Sequence, residues 1–174
     1  DKDIGLLLRQ AMDKVAFLPF GLMVDRYRWQ LFDGTIPADQ LNKGWNDLRL
    51  EYQGIVPPVE RDESGFDAGA KYHIPGNVPY TRYFLARILQ FQFFKAACDQ
   101  AGWEGPLHRC SFYGNEEVGK NLAAMLEMGA SKPWPDALEA FTGERQMSGT
   151  AMVEYFAPLK AWLDEQNAGQ TEGW

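Results

Sequence analysis

Apolar residues recur at three- and four-residue steps along most of this chain, as expected for helices with one buried face. Over residues 4–32 the pattern is interrupted by Pro19, which should kink the helix or end one segment. Strand-like alternation is nearly absent. The pattern therefore predicts a mainly α fold. The other predicted helices cover residues 37–54, 79–102, 116–128, 135–141 and 150–166.

Polar and aromatic side chains concentrate in KYHIPGNVPYTRYF, residues 71–84, after a predicted loop over residues 57–70. If Pro79 takes the first helical position, Tyr80, Tyr83 and Arg87 share one helix face. The amino-terminal end of a helix favours a negative charge, and Lys71 adds a positive one nearby. These groups predict a binding site for a carboxylate.

His73 follows Lys71 by two residues, and an extended connection would point both side chains the same way. A neutral imidazole can donate to a peptide carbonyl, and a tyrosine hydroxyl can stabilise an oxyanion. Alternatively, the segment is a buried loop whose polar side chains satisfy one another. The spacing alone leaves both interpretations open.

Composition excludes some functions and leaves one question open. A net charge of −7 argues against a nucleic-acid partner, and no apolar run is long enough to span a membrane. Cys98 and Cys110 can form a disulfide that closes a helix end onto the next loop, or can be two unpaired thiols. A disulfide would indicate an oxidising compartment.

Several blocks of this sequence resemble the carboxyl-terminal part of the angiotensin-converting-enzyme family, the M2 zinc dipeptidyl carboxypeptidases. The resemblance implies a two-lobed, all-helical, zincin-like peptidase with a deep central cleft, of which residues 1–174 are the carboxyl-terminal portion of one domain. The matching blocks, in family order, are DKVAFLPF (13–20), LRLEYQGIVPP (48–58), FDAGAKYHIPGNVPYTRYF (66–84), ILQFQFF (88–94), GPLHRC (105–110) and SKPWPDAL (131–138).

The resemblance implies roles for four residues of the segment 71–84. Lys71 and Tyr80 match residues that bind the carboxylate at the carboxyl terminus of a peptide substrate, together with a glutamine expected upstream. His73 matches a donor to a substrate backbone carbonyl, and Tyr83 matches the tyrosine that stabilises the tetrahedral intermediate. An anchored carboxyl terminus implies release of a dipeptide.

Other matches concern the substrate pocket and the cysteines. Phe17 and Phe20 match residues that line the pocket for the last substrate side chain. Arg87 stands where the family usually has phenylalanine, so it either favours an acidic side chain in that pocket or is a solvated or internally paired arginine. Cys98 and Cys110 match a family disulfide, which favours a secreted, extracellular or periplasmic location.

The resemblance also implies chloride as a ligand. Arg82 matches the arginine of a chloride site near the active centre. Trp45 and Arg49 fit a more distant chloride site, but Asn46 replaces a residue that is often tryptophan in the family.

The zinc motif HExxH of the family is absent from these 174 residues. We therefore expect zinc and the general base to come from an upstream part of the same peptidase, and the isolated chain to be inactive. The alternative is a non-catalytic peptide-binding or structural protein derived from the same fold. An HExxH upstream of residue 1 would favour the enzyme.

Overall fold

The chain is built from α-helices joined by turns and two short 3-10 segments. The computed structural model describes residues 2–171, and over that range it contains no β-strand. The mainly α prediction is confirmed. The helices are α1 (Lys2–Lys14), α2 (Phe17–Phe32), α3 (Leu41–Gln53), α4 (Thr81–Gln100), α5 (Glu116–Glu127), α6 (Trp134–Thr142) and α7 (Thr150–Gln166), with 3-10 segments at Asp67–Ala70 and Leu107–Arg109.

The first predicted helix divides in two, but ahead of Pro19. The break falls between α1 and α2, at Val15 and Ala16, and Pro19 lies in the first turn of α2. The first amides of a helix have no partner within the helix, so a proline costs little there. Pro19 cannot donate to the carbonyl of Val15, four residues earlier, so the break at Val15 and Ala16 agrees with the prediction that Pro19 ends one helical segment.

The start of α4 also differs from the prediction. The helix begins at Thr81, so Pro79 and Tyr80 precede it. By contrast, α5 begins at Glu116 as expected, because the Asn115 side chain accepts hydrogen bonds from the backbone amides of Glu117 and Val118.

The described residues form two compact units, and the first is Gln10–Leu85. Helices α2 and α3 pack together in this unit, and the Tyr27 hydroxyl donates a hydrogen bond of 3.1 Å to the Leu41 carbonyl. The rings of Tyr27 and Trp45 meet edge to face. The buried core comprises Met23, Val24, Tyr27, Ile36, Trp45, Leu48, Ala68, Ile74 and Tyr80.

The second unit contains Ala86–Thr171 and residues 2–9. Ala97, Val118 and Phe141 form one buried cluster in it. Cys98 and Cys110 are joined by a disulfide with a Cα–Cα distance of 6.1 Å, which confirms the predicted pairing. Within residues 2–171, no helix combines the length and apolar character that a membrane crossing requires.

Candidate functional site

The segment between the 3-10 turn and α4 is folded into turns. The amide of Ile74 donates to the Lys71 carbonyl, and the amide of Gly76 donates to the Tyr72 carbonyl, each at 2.8 Å. The extended conformation considered for this segment is therefore wrong. The turns leave no room at Gly76, where a Cβ atom would lie 2.8 Å from the Tyr72 carbonyl oxygen. Asn77 follows with a φ of 50°, in the left-handed region that asparagine tolerates.

Despite the turns, Lys71 and His73 both reach Tyr80. The Lys71 ammonium nitrogen lies 4.7 Å from the centre of the Tyr80 ring, and the centres of the His73 and Tyr80 rings are 4.8 Å apart. Tyr80 is buried, with 4% of its surface exposed. We call the group around it the anchor cluster; its members are Phe17, Phe20, Lys71, His73, Tyr80 and Tyr83.

Two phenylalanines from the first turn of α2 complete one side of the anchor cluster. The ring centre of Phe20 lies 5.7 Å from that of Tyr80, edge to face, and the Phe17 ring lies 6.1 Å away. The Lys71 ammonium is also 5.6 Å from the Phe20 ring centre. The positive charge is therefore flanked by aromatic faces, which attract cations.

His73 and Tyr83 form the second side of the cluster. The His73 Nε2 atom lies 3.3 Å from the Tyr83 hydroxyl oxygen, so one of the two donates to the other. The Nδ1 atom of His73 is buried and has no hydrogen-bond partner among the described residues. Tyr83 is 42% exposed, so a ligand can reach its side chain.

The imidazole of His73 is neutral near pH 7. Burial and, after it, the positive charge of Lys71 lower its pKa below the ordinary value of about 6.5, although Asp25 acts in the opposite direction. A neutral imidazole has one N–H to donate and one nitrogen that accepts. His73 is thus suited to hydrogen bonding a peptide group and holds no charge that would compete with Lys71.

Contrary to the prediction from the sequence, the amino-terminal end of α4 is not free to bind the carboxylate of a ligand. Tyr80 N, Thr81 N and Thr81 Oγ1 each donate to Asp25 Oδ2, at 2.8 Å. These amides are therefore already satisfied by a carboxylate of the chain itself. In the predicted carboxylate site, the attraction must come from Lys71 and the tyrosine hydroxyls instead.

The sequence reasoning missed Asp25 and its partner Arg28. Both are buried, and Arg28 Nη1 donates to Asp25 Oδ1 at 2.8 Å. Burial alone would raise the pKa of Asp25, but hydrogen bonds from Thr81 and Tyr80 bring it below the ordinary value. A signal was present, because Asp25 and Arg28 carry opposite charges three residues apart, a spacing that places two side chains on the same helix face.

The predicted distant chloride site lies in a groove of about 410 Å³ that Phe20 and Lys71 also line. Trp45 and Arg49 both line this groove, and the buried Nε of Arg49 has no hydrogen-bond partner among the described residues, which fits an anion. However, the Asp67 carboxylate also lines the groove, where it pairs with Arg61. The chloride fit is therefore partial.

Two other predicted site residues are not joined to the anchor cluster by the contacts above. Arg82 is exposed on α4, and its chloride role stays a prediction. Arg87 belongs to the unit that contains Ala86–Thr171, and its role in the substrate pocket also stays a prediction.

Zinc does not fit the residues that the structure describes. Within residues 2–171 there is no group of three or more His, Cys, Asp or Glu side chains that could hold a metal ion. The described residues therefore supply no set of zinc ligands.

Comparison with known proteins gives a family for the whole chain. The family model described as Peptidase_M2, angiotensin-converting enzyme, matches residues 1–174. The chain is 49% identical over 176 residues to the angiotensin-converting enzyme of Mesocricetus auratus, covering 100% of this chain and 13% of that protein. The enzyme of Mus musculus is 49% identical over 174 residues, covering 99% of this chain and 13% of that protein.

A more distant relative shows the same extent of similarity. The angiotensin-converting enzyme of Theromyzon tessulatum is 46% identical over 172 residues, which is 99% of this chain and 28% of that protein. This chain thus spans a small part of the length of each relative. Because the family model covers every residue, the chain belongs to the angiotensin-converting-enzyme family, Peptidase_M2.

Proposed function

We propose that this chain supplies the substrate-anchoring and oxyanion-stabilising residues of a zinc-dependent peptidyl-dipeptidase, which releases dipeptides from the carboxyl termini of oligopeptides. The observation that carries the proposal is the anchor cluster. A half-buried ammonium, a neutral imidazole and an accessible tyrosine are gathered around one buried tyrosine. The predicted partners are peptide substrates with a free carboxyl terminus and an upstream part of the same peptidase.

Lys71 and Tyr80 form the proposed anchor for the terminal carboxylate. The ammonium provides the charge and the phenol provides a directional hydrogen bond, while Phe17 and Phe20 offer apolar surface to the last side chain. Hydrogen bonds to charged groups contribute roughly 1.5–3 kcal/mol each. An anchor of this strength fixes the distance between the carboxyl terminus and the bond to be cut.

Tyr83 and His73 are proposed to act on the peptide backbone. The neutral imidazole hydrogen-bonds a substrate backbone carbonyl, and the Tyr83 hydroxyl donates to the oxygen that becomes negatively charged. The 3.3 Å separation of the two groups lets one orient the other before substrate arrives. The zinc chemistry implied by the family must come from residues outside this chain, and chloride is proposed as a second ligand.

The proposed compartment is oxidising: secreted, extracellular or periplasmic. The disulfide between Cys98 and Cys110 supports it, because such bonds persist where thiols are not kept reduced.

The test uses the longer protein that carries this chain. Incubation with an oligopeptide should release its carboxyl-terminal dipeptide, detected by mass spectrometry. Tyr83→Phe should lower kcat by roughly 100-fold or more with little change in KM, because one oxyanion donor contributes about 3 kcal/mol. Tyr72→Phe is the matched control, since Tyr72 is 70% exposed in the same segment.

The second candidate function is a peptide-binding protein without hydrolysis. The observation that favours it is the anchor cluster itself, which can hold the carboxyl terminus of a peptide without cutting it. A longer protein that binds peptides through a free carboxyl terminus, contains no zinc and releases no dipeptide would support this candidate over the first.

A further inference from the structure

A buried ion pair on α2 is not explained by the proposed substrate contacts. Asp25 is 3% exposed and Arg28 is 7% exposed, and both belong to the unit that contains the anchor cluster. Burying two charges is costly unless their hydrogen-bonding groups find partners. The partners that this pair finds lie on the connection between His73 and α4.

Asp25 holds the carboxyl-terminal end of that connection. Its Oδ2 atom accepts from the backbone amides of Tyr80 and Thr81 and from the Thr81 hydroxyl, each at 2.8 Å. Asp25 therefore caps α4 from a different helix. Because the Tyr83 amide donates to the Tyr80 carbonyl at 2.9 Å, the position of Tyr80 also determines where the first turn of α4 begins.

Arg28 holds the same connection a few residues earlier. Its guanidinium donates to the Val78 carbonyl at 3.1 Å and to the Asn77 side-chain oxygen. Asn77 has a positive φ, which most side chains resist. One side chain of α2 thus holds the backbone where the connection reverses, and its neighbour holds the backbone where the helix starts.

We propose that Asp25, Arg28 and Asn77 are positioning residues, which place Tyr80 and Tyr83 correctly against the rest of the anchor cluster. None of the three is proposed to touch substrate. This inference rests on the proposed function, since it assigns the pair to the geometry of the carboxylate anchor. Its particular consequence is that preference for a free carboxyl terminus depends on the hydrogen bond between Arg28 and Asn77.

The experiment compares two substitutions at Asn77 in the longer protein. Asn77→Gly tolerates the positive φ but removes the acceptor for Arg28, whereas Asn77→Asp keeps an acceptor and tolerates the same backbone. The measurement is the ratio of kcat/KM for a peptide with a free carboxylate to kcat/KM for the same peptide with a terminal amide. Asn77→Gly should lower this ratio by roughly tenfold, as expected when one charge-assisted hydrogen bond to the substrate carboxylate is weakened. Asn77→Asp should keep the ratio of the unmodified protein.

Gln92→Leu is the control for a general loss of stability. Gln92 is buried to the same degree as Asp25 and Arg28, and its side chain donates to Glu144 at 2.7 Å. It belongs to the other unit, which does not contain the anchor cluster. At a similar drop in Tm, this variant should keep the acid-to-amide ratio of the unmodified protein. Asp25→Asn is a second probe, and it should lower the ratio in the same direction wherever the variant folds.

The possible outcomes distinguish a failure of this inference from a failure of the proposed function. An unmodified protein that prefers the free acid, with an unchanged ratio in Asn77→Gly, overturns the inference alone. Equal falls in Asn77→Gly and Gln92→Leu also overturn it, because the effect would then follow stability. An unmodified protein without acid preference overturns the proposed anchor and this inference together.

Discussion

Replacing Lys71 by methionine removes the positive charge of the anchor cluster and keeps a similar side-chain length. The ammonium lies 4.7 Å from the Tyr80 ring centre and 5.6 Å from that of Phe20, so a carboxylate beside it also lies against aromatic surface. At a separation of about 4 Å and an effective dielectric constant of about 20, the attraction is about 4 kcal/mol. Desolvation of the carboxylate and the partial exposure of Lys71 reduce this to roughly 2 kcal/mol.

A loss of that size corresponds to a rise of about 30-fold in KM for a peptide with a free carboxyl terminus. Steady-state kinetics on the proposed longer peptidase measures it, with the matching peptide amide as the second substrate. The amide should show a change of less than about threefold, since it offers no charge to Lys71. Lys43→Met is the control, because Lys43 pairs with Asp47 on the exposed face of α3.

The refuting result is a Lys71→Met protein that loses as much on the amide as on the free acid. The side chain would then support the fold of the cluster without recognising charge. An unchanged KM for both substrates would place the carboxylate elsewhere.

Three further predictions concern pH, redox state and substrate preference. The folded-state pKa of His73 lies below its unfolded value, so its contribution to stability should be present above about pH 6.5 and lost as pH falls below it; His73→Gln should flatten that part of the curve of unfolding free energy against pH. Reducing the disulfide between Cys98 and Cys110, which are 12 residues apart, should destabilise the chain by about 3 kcal/mol; thermal melts with and without reductant measure this, and Tm values that coincide would contradict it. Arg87→Ala should lower the cleavage rate of peptides ending in glutamate relative to those ending in leucine, and an unchanged ratio would refute an acidic-side-chain role for Arg87.

Helices with a regular apolar period and a local cap were predictable from the sequence. Residues 150–166 match α7, and α5 begins where Asn115 can cap it. The start of α4 was misplaced because a local rule favoured Pro79, whereas the groups that fix the start come from Asp25 on α2. A contact between residues far apart in sequence leaves no trace in the periodicity of either segment.

In the candidate site too, contacts within one segment were predictable and contacts between distant segments were not. Lys71, His73, Tyr80 and Tyr83 are close in sequence, so their gathering could be expected from one segment. The arrival of Phe17 and Phe20 was implied only by family resemblance, because it depends on how α2 packs. Arg28 was missed because its role depends on the Asn77 side chain.

The turns that follow His73 limit which residues can occupy positions 76 and 77. Gly76 has no space for a Cβ atom beside the Tyr72 carbonyl, and the next residue combines a positive φ with an acceptor for Arg28. In a saturation library, position 76 should accept little besides glycine, and position 77 should accept aspartate best among replacements. Positions 76 and 77 should therefore vary less among relatives than the residues around them.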